Sequence, residues 1–218
     1  MAPIGPDRAG EKRAVARAAA ALAEDGMVVG LGTGSTVAEL IPALGERRLA
    51  ITCVATSPAS EDQARACGLD VRPFTGIDRL DLAIDGADQV DPAGWLVKGA
   101  GGAQTRERIV AAAAERFVVI VSSDKVVERL HPPVPLELLA FGAAATLRAL
   151  PEAELRSAPP TPDGGLLADY HGAFGDPGAL AAALDATPGV VSHGLFSPSL
   201  VATVLVARGT EVTMRTVG

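Results

Sequence analysis

An α/β fold built on a parallel sheet, with a smaller α+β domain attached, is predicted by three observations. Short Val/Ile-rich runs alternate with helix-length segments over the first 125 residues, the pattern of βαβ units. The segment MVVGLGTGSTVAELIPALGE (27–46) reads as an apolar strand, a glycine turn and a helix start in direct succession. With 48% hydrophobic residues but only 3% aromatic ones, the core must be built mainly from Val, Leu, Ile and Ala. A chain of 218 residues suits one large domain or a large and a small one.

Taken in order, EKRAVARAAAALAE (11–24) has a helical composition that Asp25-Gly26 ends. ITCVATSPAS (51–60) is a second strand running into a polar loop, EDQARACGLD (61–70) a helix closing at Gly68, and VRPF (71–74) a short third strand. LDLAID (80–85) is the fourth strand and delivers Asp85 at its end. RIVAAAAERF (108–117) continues a helix and VVIVSS (118–123) is another buried strand, ending in Asp124-Lys125. This alternation indicates a Rossmann-like sheet. From His131 the texture changes. HPPVPLELL (131–139) is a proline-rich connection, FGAAATLRAL (141–150) a helix, and SAPPTPDGG (157–165) a turn-rich loop. LLADYHG (166–172), the helix within DPGALAAALDATPG (176–189) and VVSHGLF (190–196) suggest a small α+β unit, and LVATVLVA (200–207) a strand returning to the first sheet. The expected division is 1–130 plus 203–218 for the Rossmann-like domain and 131–202 for the smaller lid.

The net charge of −7 argues against nucleic acid or an anionic membrane as partner, so an anionic substrate needs a local basic site. Of 19 basic residues only Lys12, Lys98 and Lys125 are lysines. A lysine kept against such a bias can place a compact ammonium where a planar guanidinium does not fit; the competing reading is chance among exposed positions. Cys53 and Cys67 have no metal or redox spacing. MAPIGPDRAGEKR has no apolar core region, and no run approaches the ~18 apolar residues of a membrane span. The expectation is a soluble, cytoplasmic protein.

The chemistry concentrates in DGADQVDPAGWLVKGAGGAQTRE (85–107), where a strand ends and ligands of open α/β sheets bind. It offers Asp85, Asp88 and Asp91, then Lys98, the glycines Gly99, Gly101 and Gly102, and Glu107 at a helix start. Upstream, Gly30, Gly32 and Gly34 before Ser35-Thr36 make an anion site, because free N–H groups and the helix dipole converge there. The dinucleotide fingerprint lacks its third glycine and the P-loop its lysine. A small phosphate monoester remains, with a plain tight turn as the alternative. Glu107 also reads as a simple first-turn acid, and Asp85 and Asp88 as an Asx-type turn, the reading assigned to Asp91. His131, His171 and His193 lack metal-ligand spacing and read as structural. Trp95 is expected to pack near Lys98.

GLGTGSTV, DGAD, KGAGGAQTRE, SDKVV and PGVVSHGLF occur in the order seen in type A ribose-5-phosphate isomerases, which this sequence resembles over nearly its whole length. The resemblance implies a Rossmann-like domain with an α+β lid, in a homodimer or homotetramer. It implies interconversion of ribose 5-phosphate and ribulose 5-phosphate with no metal and no cofactor. It makes Glu107 the base moving a proton between C1 and C2, puts Asp85 and Asp88 at the sugar, and sets Lys98 beside the developing enediolate. Thr33, Gly34, Ser35 and Thr36 fall on its substrate-binding loop, with Gly99 and Gly101 in the glycine cluster. Lys12 and Lys125 fall near the phosphate. The sequence departs from the family pattern at Gln89, where Glu is usual, at Ala100 and Gln104, and in the TPDGG loop. These changes bear on turnover and fine preference. Two other readings stand beside it: a different sugar-phosphate isomerase or deaminase on the same fold, and a sugar-phosphate sensor without turnover. Retention of Glu107 and the lack of length for a DNA-binding module favour the isomerase.

Overall fold

The computed structural model describes residues 7–217. The first six residues of the N-terminal segment and Gly218, at the two ends of the expected larger domain, lie outside it. In chain order the first part comprises α1 (Arg8–Ala20), β1 (Val28–Leu31), α2 (Val37–Glu46), β2 (Thr52–Ala55), α3 (Pro58–Ala66), β3 (Asp70–Val71) and β4 (Leu80–Asp85). There follow β5 (Gln89–Val90), β6 (Leu96–Val97), α4 (Gln104–Ala113) and β7 (Ala114–Ser122). The second part holds β8 (Val134–Leu138), α5 (Ala143–Ala149), β9 (Ala153–Leu155), β10 (Leu166–Tyr170), α6 (Pro177–Asp185) and β11 (Val190–His193). The chain ends with β12 (Leu195–Phe196), β13 (Thr203–Arg208) and β14 (Glu211–Thr216).

The main sheet has the order β14-β13-β7-β4-β1-β2-β3, parallel except for the β13–β14 hairpin. Its central strands are buried on both faces, and their side chains alternate between two cores. Val118 and Ile120 join Val29, Leu31, Leu82 and Ile84 under α1 and α2. Phe117, Val119, Val121 and Ala83 face the other way, toward Val110 of α4. Helix starts follow local chemistry. The Asp7 carboxylate accepts from Gly10 N–H, and Ser57 caps α3 ahead of Pro58. Pro42 lies inside α2 and cannot donate to the Ala38 carbonyl; the Gln63 side chain of α3 donates to that carbonyl instead, at 2.8 Å.

Several elements differ from the sequence expectation. The proline-rich stretch after His131 contains β8, a fully buried strand at the middle of a four-stranded antiparallel sheet, β11-β8-β10-β9. Proline argues against an inner strand because it cannot donate, yet Pro135 only has to accept, and its carbonyl takes the Gly194 N–H at 2.7 Å. The helix expected through Phe117 stops at Ala113, and Glu115 to Phe117 belong to β7. VVSHGLF is not one strand. Residues 190–193 pair with β8, whereas 195–196 pair with β6 in a third sheet, β12-β6-β5. That small sheet was not foreseen, because two-residue strands carry no periodicity. Trp95 packs against the separate core of the four-stranded sheet, beside Gly178 of α6; the ring beside Lys98 is Phe196, with the ammonium 5.5 Å from its centroid.

Candidate active site

The site lies at the C-terminal ends of β1 and β4, which pair in parallel with Leu31 opposite Ile84. Two glycines let the chain close up there. Gly30 faces α4, and a Cβ on it would come within 2.4 Å of Val110 Cγ1. Gly32, two residues on and on the same face, would drive a Cβ to 1.9 Å from Asp85 Cγ. α4 therefore lies directly across the strand ends, and the space in front of Gly32 belongs to the Asp85 carboxylate. A Gly32→Ala substitution is expected to cost at least ~1–3 kcal/mol of stability, as overpacked cores do, and to displace Asp85. A chemical denaturation curve checks the first effect and turnover the second.

Asp85, Lys98 and Glu107 meet at the floor of the cleft, all at least 95% buried. Lys98 Nζ stands 2.9 Å from Asp85 Oδ2 and 3.2 Å from Glu107 Oε2, and it donates to the Gly86 carbonyl. Asp85 Oδ1 accepts from Thr33 N–H at 3.1 Å and Gly86 N–H at 2.7 Å. Glu107 Oε2, by contrast, has no well-formed hydrogen bond. Burial pushes both carboxyl groups upward, with Lys98 opposing it, and the Asp85 charge adds to the effect on Glu107, which reaches about 8. Burial works against the Lys98 ammonium, but its two carboxylate neighbours outweigh that and hold it above the ordinary lysine value. One buried cation thus faces two acids. Charge balances when Asp85, with three donors, is ionised and Glu107 keeps a proton.

Around this floor a cleft of about 300 Å³ is walled by Thr33, Gly34, Ser35, Thr36, Asp88, Gly99, Gly101, Lys12 and Lys125. Lys12 of α1 donates to Ser35 Oγ at 2.8 Å, joining that helix to the glycine loop. α1 is held in place by its buried Glu11, whose carboxylate accepts from the N–H groups of Ser123 and Gly209. The first N–H that α2 satisfies internally is that of Ala38, on the Gly34 carbonyl at 2.9 Å, so the N–H groups just ahead of it have no partner within the helix. Lys12, Lys125 and Arg8 line this same cleft. It can take an anion, while the floor can take and return a proton.

All twelve residues singled out in the sequence lie in one place, though not all on the surface of the cleft. Asp85 sits behind Lys98, off the wall, because its oxygens are engaged by backbone N–H groups and the ammonium. Asp88 does reach the wall and accepts from Ala100 N–H at 3.0 Å. Asp91 forms the expected turn, accepting from Trp95 N–H at 2.9 Å. Gln89 points away from the cleft and pairs with the His131 backbone, donating to its carbonyl at 2.9 Å and accepting its N–H at 2.8 Å. His193 is buried and, through that burial and the Arg108 charge beside it, falls to about 4 and stays neutral. Arg8 and Asp124 also line the cleft and were missed; the signal for Arg8 was its i, i+4 spacing from Lys12 on one helix face. Among the described residues no group of three His, Cys, Asp or Glu side chains is placed to hold a metal ion, and no helix is long and apolar enough to cross a membrane.

Comparison with known proteins points to one family. The profile of the family ribose 5-phosphate isomerase A (phosphoriboisomerase A) matches residues 52–211. A ribose-5-phosphate isomerase A of Nitrobacter hamburgensis is 43% identical, over 85% of this chain and 88% of the relative. The crystal structure of ribose 5 phosphate isomerase A from Neisseria gonorrhoeae superposes with a TM-score of 0.93 at 29% identity, covering 98% of this chain and 99% of that one. A D-ribose-5-phosphate isomerase in complex with phospho-erythronic acid superposes at 0.90 with 32% identity, covering 98% and 100%.

Proposed function

The chain belongs to the ribose 5-phosphate isomerase A family, and from that premise we infer how its site performs the reaction. The protein is an aldose–ketose isomerase interconverting ribose 5-phosphate and ribulose 5-phosphate. The observation that carries the residue roles is the buried trio at the cleft floor, in which a glutamate raised to about 8 stands 3.2 Å from a lysine ammonium.

In this reading the phosphate rests at the glycine loop, on the N–H groups ahead of α2 and the charges of Lys12 and Lys125, with Arg8 adding to them. Asp88 moves the proton that opens the sugar ring. Glu107, in its ionised form, takes the C2 proton of the open aldehyde and returns it to C1; O2 loses a proton and O1 gains one, so the carbonyl moves to C2. A base near neutrality suits this transfer, because its ionised form is available and still basic. Lys98 holds the enediolate oxygens while charge develops on them, and Asp85 fixes Lys98 from behind. Phospho-erythronic acid suits such a site, having a phosphate at one end and a planar anionic carboxylate at the other.

Residues 1–130 and 203–218 act as the catalytic domain and 131–202 as the lid in this proposal, which is supported by the separate main and four-stranded sheets. A cytoplasmic homodimer or homotetramer belongs to the same reading. Exposed Leu139, Phe141 and Val191 on the lid are apolar surface of the kind that association covers. Size-exclusion chromatography with light scattering is expected to give two or four chains per particle, and a monomer at working concentration would remove that part. The reaction itself is tested by converting ribose 5-phosphate to ribulose 5-phosphate after treatment with a strong chelator. Full turnover is expected, and activity that vanished with the chelator would overturn the metal-free scheme.

A further inference from the structure

Arg156 stands outside the cleft at the end of β9, yet its guanidinium reaches the loop that walls it. Nε and Nη2 form a two-point pair with the Asp169 carboxylate of β10, at 2.7 and 2.6 Å. Nη1 donates to the carbonyls of Gly99 and Ala100, at 3.1 and 3.0 Å. Its own backbone is pinned to the lid sheet through Leu167, at 2.9 Å. The side chains of Arg156 and Asp169 are about four-fifths buried, where a two-point ion pair holds its geometry better than a surface one.

The carbonyl of Gly99 and the N–H of Ala100 belong to one peptide group. In a trans peptide they point in opposite directions, so a guanidinium on the carbonyl side directs the N–H away from itself. That N–H donates to Asp88 Oδ2 at 3.0 Å. Hydrogen bonds at the two ends of one peptide polarise each other, so Arg156 both aims and strengthens the donor that orients Asp88. The neighbouring peptide repeats the arrangement. Its Ala100 carbonyl faces Arg156, and its N–H belongs to Gly101, which lines the cleft.

We propose that Arg156 is a positioning residue for the reaction, setting the Asp88 carboxylate and the 99–101 peptide planes from the lid through the Gly99–Ala100 peptide. The inference rests on the role given to Asp88 above. Lysine cannot replace this arginine, because a point charge cannot pair with Asp169 at two points and reach two carbonyls at once.

The experiment is a double-mutant cycle of Arg156→Gln and Asp88→Asn, followed by kcat and KM for ribose 5-phosphate and by thermal unfolding. Arg156→Gln alone is expected to lower kcat by about 10- to 100-fold, the scale of a small misplacement in a reacting site, with KM within about threefold because the phosphate end is untouched. In the Asp88→Asn background the same substitution should change kcat by less than about threefold, because groups acting through one another are not additive. Arg156→Lys should restore thermal stability in part and not the rate. Additive losses in the cycle, or full recovery of kcat in Arg156→Lys, would reduce Arg156 to a clamp holding the lid and overturn the proposal. If Asp88→Asn alone turned over normally, the role of Asp88 would fall first, and this inference with it.

Discussion

Glu107→Gln is expected to lower kcat by about 10²–10⁴-fold, the range contributed by a positioned general base, while KM for ribose 5-phosphate stays close to that of the parent. The substitution keeps the shape of the side chain and removes only its ability to carry a proton away. In the parent, kcat/KM should climb as pH rises and level off above about 8, as Glu107 ionises; the residual rate of the variant should lack that step. Stability should move the other way. The folded parent holds a proton on Glu107 that its unfolded chain releases between the ordinary glutamate value of 4.5 and about 8. The contribution of this group is therefore whole below that window and is lost as pH rises through it. Glutamine has no such loss, and it leaves Lys98 matched to Asp85 alone. At pH 8 and above the variant should melt at a higher temperature than the parent. Equal kcat in the two proteins would end the assignment of Glu107 as base.

Lys98→Ala should damage both rate and fold. Losing a preorganised donor to the enediolate costs ~2–4 kcal/mol in the transition state. It also strands two buried acids without a cation, and removing one partner from a buried ion pair costs ~3–5 kcal/mol of stability. The two effects separate with pH. Acidification protonates Asp85 and Glu107, so the melting temperature of the variant should approach that of the parent as pH falls, whereas the rate stays low throughout. Circular dichroism melts and initial rates between pH 5 and 9 check both. A variant that melts normally at pH 8 would mean that the lysine does not hold the acids together.

The departures of this sequence from its family pattern are less consequential for the chemistry than their position in the motif suggests. Gln89 follows DGAD, but its side chain meets the His131 backbone with one donor and one acceptor, a pairing that a primary amide fits and an ionised carboxylate does not. Ala100 contributes its backbone N–H to Asp88 and its carbonyl to Arg156, so its identity matters little there. Gln104 is different. Its amide is fully buried and neither end finds a partner, and nothing in the structure explains it.

What the sequence determined by itself was local in origin. Alternating strand and helix signals over 27–123, the glycine loop ahead of α2 and Asp85 at the close of β4 are written in runs of ten to twenty residues, because pairing in a parallel sheet buries whole apolar runs. The same locality placed Glu107 at a helix start, and the bias of the composition toward arginine picked out the three lysines. Only the tertiary structure decided the rest. β8 was hidden by the proline-rich run it sits in, and Pro135 within it is harmless because only its carbonyl is needed, for the Gly194 N–H. Phe196 shares one apolar run with Val190 in the sequence, and it comes to Lys98 only because the chain changes sheets at Gly194. Arg156, more than fifty residues from the loop it holds, has no sequence signal linking it to Gly99. The basicity of Glu107 was likewise undetermined until its burial was known. A charge on a helix start and a cation beside it favour the ionised form, and desolvation between two packed layers outweighs them.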